Sequence, residues 1–67
     1  MMPPHQKRVL EEKEQLDERI EKLEGYLDDT DRVAKLSPDE RELLGRQLSA
    51  MQEYSAILEE RISLFRQ

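Results

Sequence analysis

Ser37-Pro38-Asp39-Glu40 opens the stretch SPDERELLGRQLSAMQEYSAILEERISLF, residues 37–65, whose reading decides the fold. Ser37 is a natural N-cap and Pro38 suits the first helical position. Glu40, three residues past the cap, can reach back to complete a capping box. No proline interrupts the helical pattern after that. Two apolar seams run side by side along it. Leu44, Leu48, Met51, Ser55, Leu58, Ile62 and Phe65 form one. Leu43, Gln47, Ala50, Tyr54, Ile57, Arg61 and Leu64 form the other. Both alternate steps of three and four, the repeat of a helix that packs along its length on another helix. One seam is enough for a single partner helix, so the pair predicts a face wider than one hairpin covers. Gly45, Ser49 and Ala56 add a track of small residues suited to close helix approach.

The partner helix lies upstream. Pro3-Pro4 is a stiff lead-in, and from His5 a second helical pattern begins. Val9, Leu16, Ile20, Leu23 and Leu27 form one seam, interrupted by Lys13 and preceded by Gln6. Glu18 and Lys22 form an i,i+4 pair in the favourable order. Gly25 costs about 1 kcal/mol relative to alanine and marks a bend or a close approach. The run Asp28-Asp29-Thr30-Asp31 puts negative charge at the unfavourable end of the helix dipole, so this helix ends there. Residues 29–37 form the connection, with Thr30 expected to cap a single turn and Val33 and Leu36 to plug the core. A connection this short implies an antiparallel pair. The expectation is an all-α antiparallel two-helix hairpin, one domain over residues 1–67, with helices at about 4–28 and 38–66.

A chain of 67 residues buries little surface, and chains this short need disulfides, a metal or self-association. There is no cysteine and one histidine, His5, which leaves self-association. The seams therefore predict a coiled-coil-like homo-oligomer through Leu44, Leu48, Met51, Ile57, Leu58, Ile62 and Phe65. Charged residues make up 40% of the chain and the net charge is -5, which argues against general nucleic-acid binding. No apolar run resembles a secretory leader or approaches the ~20 residues of a membrane span, so a soluble intracellular protein is expected.

Catalysis finds no foothold. Ser49, Ser55 and Ser63 have no histidine placed to activate them, and inward-facing Glu-x-x-His pairs for a di-metal bundle are absent. No enzyme activity, cofactor or metal is expected. The start of the second helix is an anion site in principle, but Asp39 and Glu40 already occupy it. A better candidate is the open end of the hairpin, where His5, Lys7 and Arg8 approach Arg61 and Arg66. One reading makes these side chains and Lys13 a cover for the core, held by acidic neighbours. The other is a polar pocket between protomers, lined by Gln6, Lys13, Gln47, Tyr54 and Arg61, with Tyr54 as a stacking surface for a base.

Two stretches together are similar to a known group. They are Pro4-His5-Gln6-Lys7-Arg8-Val9 with Glu12-Lys13, Leu16-Asp17, Ile20 and Lys22-Leu23, and Leu43-Leu44, Gln47-Leu48, Met51, Tyr54, Ile57-Leu58 and Arg61-Ile62. As a set they resemble a family of very small phage and prophage proteins related to a crAss-like phage protein. The resemblance runs over residues 4–65 and departs from the family phrasing around Leu27 to Val33. It implies a viral protein in the cytoplasm of the infected bacterium. In size, layout and the Leu, Met and aromatic pattern of the second helix, the chain is also similar to phage anti-CBASS and anti-Thoeris sponge proteins. That architecture implies a non-enzymatic counter-defence role in immune evasion, sequestering a cyclic nucleotide or cyclic ADP-ribose between protomers. His5, Arg8, Lys13, Gln47, Tyr54 and Arg61 are the ligand-binding candidates. The alternative is a structural or adaptor hairpin that oligomerises and binds a host or phage protein. In it the polar seam residues set oligomer specificity.

Overall fold

The computed structural model describes residues 2–65. Three helices follow in order: α1, Pro4–Asp28; α2, Thr30–Val33; and α3, Pro38–Ser63. The two long helices lie against each other and the molecule measures 49 × 15 × 14 Å, a rod one hairpin wide. α1 has the expected bounds. α3 stops at Ser63, where the Leu64 and Phe65 amides turn back onto the carbonyls of Arg61 and Ile62. The expected extension to residue 66, and Arg66 itself, lie outside the described residues.

Local chemistry explains the ends. Pro4 occupies the first helical position of α1, and the Pro3 carbonyl accepts from the Gln6 and Lys7 amides, each at 3.1 Å. Ser37 Oγ accepts from the Glu40 amide at 3.1 Å, an N-cap worth about 1 kcal/mol. Only this half of the expected capping box forms among the described residues. In the connection the cap is Asp29, not Thr30. Its Oδ1 accepts from the Asp31 and Arg32 amides at 3.1 and 3.3 Å, and Arg32 Nε lies 3.4 Å from its Oδ2. Asp29 takes the position because it is the extended residue just before the turn, whereas Thr30 is already the first helical residue, and its carboxylate suits the positive end of the helix. The charge that ends α1 starts α2.

The core is small and off-centre. Leu58 is completely buried, and Val9 and Leu16 nearly so, with Ile20, Met51, Ile62 and Phe65 packed against them. Leu58, Met51, Ile62 and Phe65, expected to meet another protomer, therefore face α1 of their own chain. Leu44 and Leu48, on the same stripe, are half-buried. The neighbouring seam is open: Leu43, Tyr54, Ile57 and Leu64 are 57, 42, 49 and 75% exposed. Of the expected interface residues, Ile57 alone belongs to it. Val33 and Leu36 are half-buried at the connection, in keeping with a plug. Gly25 marks no close approach within the chain, since a β-carbon there would meet nothing within 4 Å. No helix among the described residues is long and apolar enough to cross a membrane.

Candidate functional site

Helical spacing gives the hairpin two unlike flanks. On one, polar side chains tie α1 to α3. Lys13 Nζ donates to Asp17 Oδ2 at 2.7 Å and to Ser55 Oγ at 3.1 Å. Ser55 Oγ donates to Asp17 Oδ1 at 2.6 Å, and Glu59 Oε1 lies 3.7 Å from the ammonium. One turn toward the connection, Gln52 Nε2 donates to Glu24 Oε2 at 3.1 Å. The hydrogen bond from Lys13, with that from Ser55, holds the Asp17 carboxyl below the usual carboxylate range. The same bond to Asp17 raises the Lys13 ammonium above its ordinary value, against partial desolvation that pulls the other way. Lys13 can interrupt an apolar seam because its ammonium is met by Asp17 on its own helix and by Ser55 and Glu59 across the hairpin.

The other flank is built differently. On α1 it carries Arg8, Glu12, Gln15, Arg19, Lys22 and Tyr26, spaced four, three, four, three and four residues apart. On α3 it carries the exposed seam from Leu43 to Leu64. Arg8, Arg19, Lys22 and Arg61 make this flank cationic, with Glu12 the one carboxylate in the α1 stripe. The molecule as a whole is acidic, so the sign is local.

The sequence-derived candidates divide between these flanks. Arg8 and Arg61 share the open end of the cationic flank, and both are exposed. Gln47 and Tyr54 lie on the same flank nearer the connection, with Gln47 Nε2 4.0 Å from Met51 Sδ. His5 is exposed in the first turn of α1. Lys13 is turned to the opposite flank and engaged there. A pocket combining Lys13 with Tyr54 and Arg61 does not form within one chain.

A cleft opens elsewhere, at the connection end of the cationic flank. It is a largely open groove of about 360 Å3, lined by Arg19, Lys22, Leu23 and Tyr26 of α1 and Leu44 of α3. Leu23 and Leu44 belong to the two core stripes, so the cleft exists where those stripes cease to close on each other. The Arg32 guanidinium sits 5.7 Å from the centre of the Tyr26 ring, a cation–π contact that ties the ring to α2. Among the described residues, Arg19 and Lys22 form no ion pair, and the expected Glu18–Lys22 pair is not made. Their three-residue spacing, with Tyr26 four further on and Leu23 between, was the signal in the sequence for this group. The more conspicuous clustering of basic residues near the two termini obscured it.

No curated protein and no solved structure matches this chain. A family model described as Sequestin matches residues 3–64, which takes in both long helices, the connection and both flanks. This hairpin is a member of the Sequestin family.

Proposed function

We propose that the chain is a non-enzymatic phage counter-defence protein, acting in the cytoplasm of an infected bacterium. It sequesters a nucleotide-type immune signal, a cyclic nucleotide or cyclic ADP-ribose, at the protomer interfaces of a homo-oligomer. The family match across residues 3–64 carries this reading, because the family name denotes sequestering. The cationic flank supports it: cations beside an exposed apolar seam suit a ligand that has both phosphate and ring. Leu43, Tyr54, Ile57 and Leu64 form the seam on which a second copy packs.

The test is recovery of the ligand. Purified protein is mixed with cyclic ADP-ribose or a cyclic dinucleotide, the free pool is measured, and the protein is then denatured. A sequestering protein depletes the pool and returns the ligand chemically unchanged. Failure to deplete any of these signals, or the return of an altered product, overturns the reading.

A second reading, an adaptor hairpin that binds a host or phage protein, is favoured by one observation. Lys13 is bound to Asp17 and Ser55 and lies beside Glu59, as expected of a residue that sets helix register. Under that reading the Lys13→Leu variant changes stability or oligomer state, and the protein takes up no nucleotide.

A further inference from the structure

We infer that the cleft at the connection end of the hairpin receives an anionic ligand with a planar ring, the phosphate and base of a nucleotide. The residues that do so are Arg19, Lys22 and Tyr26, over a floor of Leu23 and Leu44. The ligand class rests on the sequestration reading above, whereas the location rests on the cleft's own geometry.

Four observations converge there. The first is size: about 360 Å3 falls within the range of about 300–1,000 Å3 usual for small-molecule sites. The second is its lining, almost wholly apolar even though Arg19 and Lys22 contribute to it, a surface that suits a ring with the two charged side chains beside it. The third is the state of the cations. Lys13 and Arg32 are matched by carboxylates of their own chain, whereas Arg19 and Lys22 are not, and both are exposed. Lys7, Arg8, Lys35, Arg41, Arg46 and Arg61 likewise form no ion pair among the described residues, so what sets Arg19 and Lys22 apart is that they lie one helical turn from each other along the cleft. The fourth is Tyr26, half-buried in the cleft wall and in contact with the Arg32 guanidinium. A ring held in this way loses little freedom when a base stacks on it.

The open end has charge without enclosure. Arg8 and Arg61 are exposed there, and the core beneath them is closed by Ile62 and Phe65 packed on Val9 and Leu58. The connection end has both charge and space. A second copy packed on the Leu43 to Leu64 seam would adjoin the cleft, because Leu44 follows Leu43 directly, and the bound ligand would then lie beside the protomer contact.

The experiment is an amide-resolved NMR titration of the full chain with cyclic ADP-ribose and with cyclic di-AMP. It is repeated on Arg19→Ala/Lys22→Ala, Tyr26→Phe, Tyr26→Ala and Arg8→Ala/Arg61→Ala, with helicity and sedimentation checked for each. The expected result is shift changes concentrated on residues 19–26 and Leu44 for a probe that binds. Arg19→Ala/Lys22→Ala and Tyr26→Ala weaken binding about tenfold or more, as loss of charge-assisted contacts or of a stacking face should. Tyr26→Phe and Arg8→Ala/Arg61→Ala bind like the natural chain. Loss of binding in Arg8→Ala/Arg61→Ala, with Arg19→Ala/Lys22→Ala unaffected, overturns the location and leaves sequestration standing. No binding of either probe to the natural chain overturns the ligand class together with the sequestration reading. If Arg19→Ala/Lys22→Ala changes the oligomeric state while uptake persists, the cleft is a protein contact and the inference fails.

Discussion

Replacing Ile57 by lysine separates a hairpin that works alone from one that pairs through its second seam. Ile57 is 49% exposed in a single chain, and with Leu43, Tyr54 and Leu64 it leaves the equivalent of about two whole apolar side chains in water. Burying one such side chain is worth about 1.5–3 kcal/mol, so covering the seam contributes roughly 3–6 kcal/mol per protomer. Ile57's share is about 1 kcal/mol, or about 2 kcal/mol for a pairwise contact that uses it twice, which weakens association roughly thirtyfold. A lysine ammonium forced against the partner's apolar seam would add to this loss. In a lone hairpin the same change is a surface substitution, expected to move stability by no more than about 0.5 kcal/mol. Sedimentation equilibrium over a wide concentration range, paired with thermal unfolding, reads both quantities. The expected outcome is that Ile57→Lys remains helical but dissociates at concentrations where the natural chain is associated. A natural chain that is monomeric throughout, or a variant that associates equally well, would refute the assignment of the seam to a second copy.

Leu58→Ala removes the one completely buried side chain among the described residues, and the general cost of such a truncation is about 2–5 kcal/mol. With so few buried residues to share the loss, the variant should show much reduced helicity at 25 °C by circular dichroism; a loss below about 1 kcal/mol would mean Leu58 is not the centre of the core. Asp17, with its lowered value, adds stability that is present above the usual carboxylate range and lost as pH falls through the lowered value. Lys13, with its raised value, adds stability below the ordinary lysine range that is lost as pH rises through the raised one. Urea unfolding of Lys13→Leu should therefore show a flatter acid limb than the natural chain; an unchanged limb would remove Lys13 as its cause. Asp17 is nearly half exposed, so solvent screening limits the effect to roughly 1 kcal/mol. Gly25→Ala should raise stability by about 1 kcal/mol, because the added methyl meets nothing within 4 Å; destabilisation would place a neighbour there.

The hairpin was legible because both of its signals are local or periodic. Ser37 and Pro38 mark a helix start through their own backbone chemistry, and the seam through Val9, Leu16 and Ile20 repeats at the helical period. The Asp29 cap was harder to read. Asp29 and Thr30 are both capping residues, and only the path of the chain decides which one precedes the turn. Periodicity places Lys13 on a seam but does not name Ser55, 42 residues away, as the group that meets it. It also overstates closure: the Leu23 and Leu44 stripes continue in sequence beyond the point where the helices pack tightly. The cleft is that shortfall in packing, and no composition or spacing rule measures it. The two seams of α3 were both visible, but which of them α1 would take was decided by the register of the pair. α1 took the seam through Leu58 and left Tyr54 and Ile57 in water.

Native mass spectrometry on protein purified from bacteria with an active cyclic-nucleotide or cyclic-ADP-ribose defence system tests sequestration most directly. It reports subunit number and retained small molecules in one spectrum. The account predicts a defined oligomer carrying stoichiometric additional mass in the nucleotide range, released on denaturation. A protein that emerges with no added mass, as monomer or oligomer, would contradict it and turn attention to a protein partner.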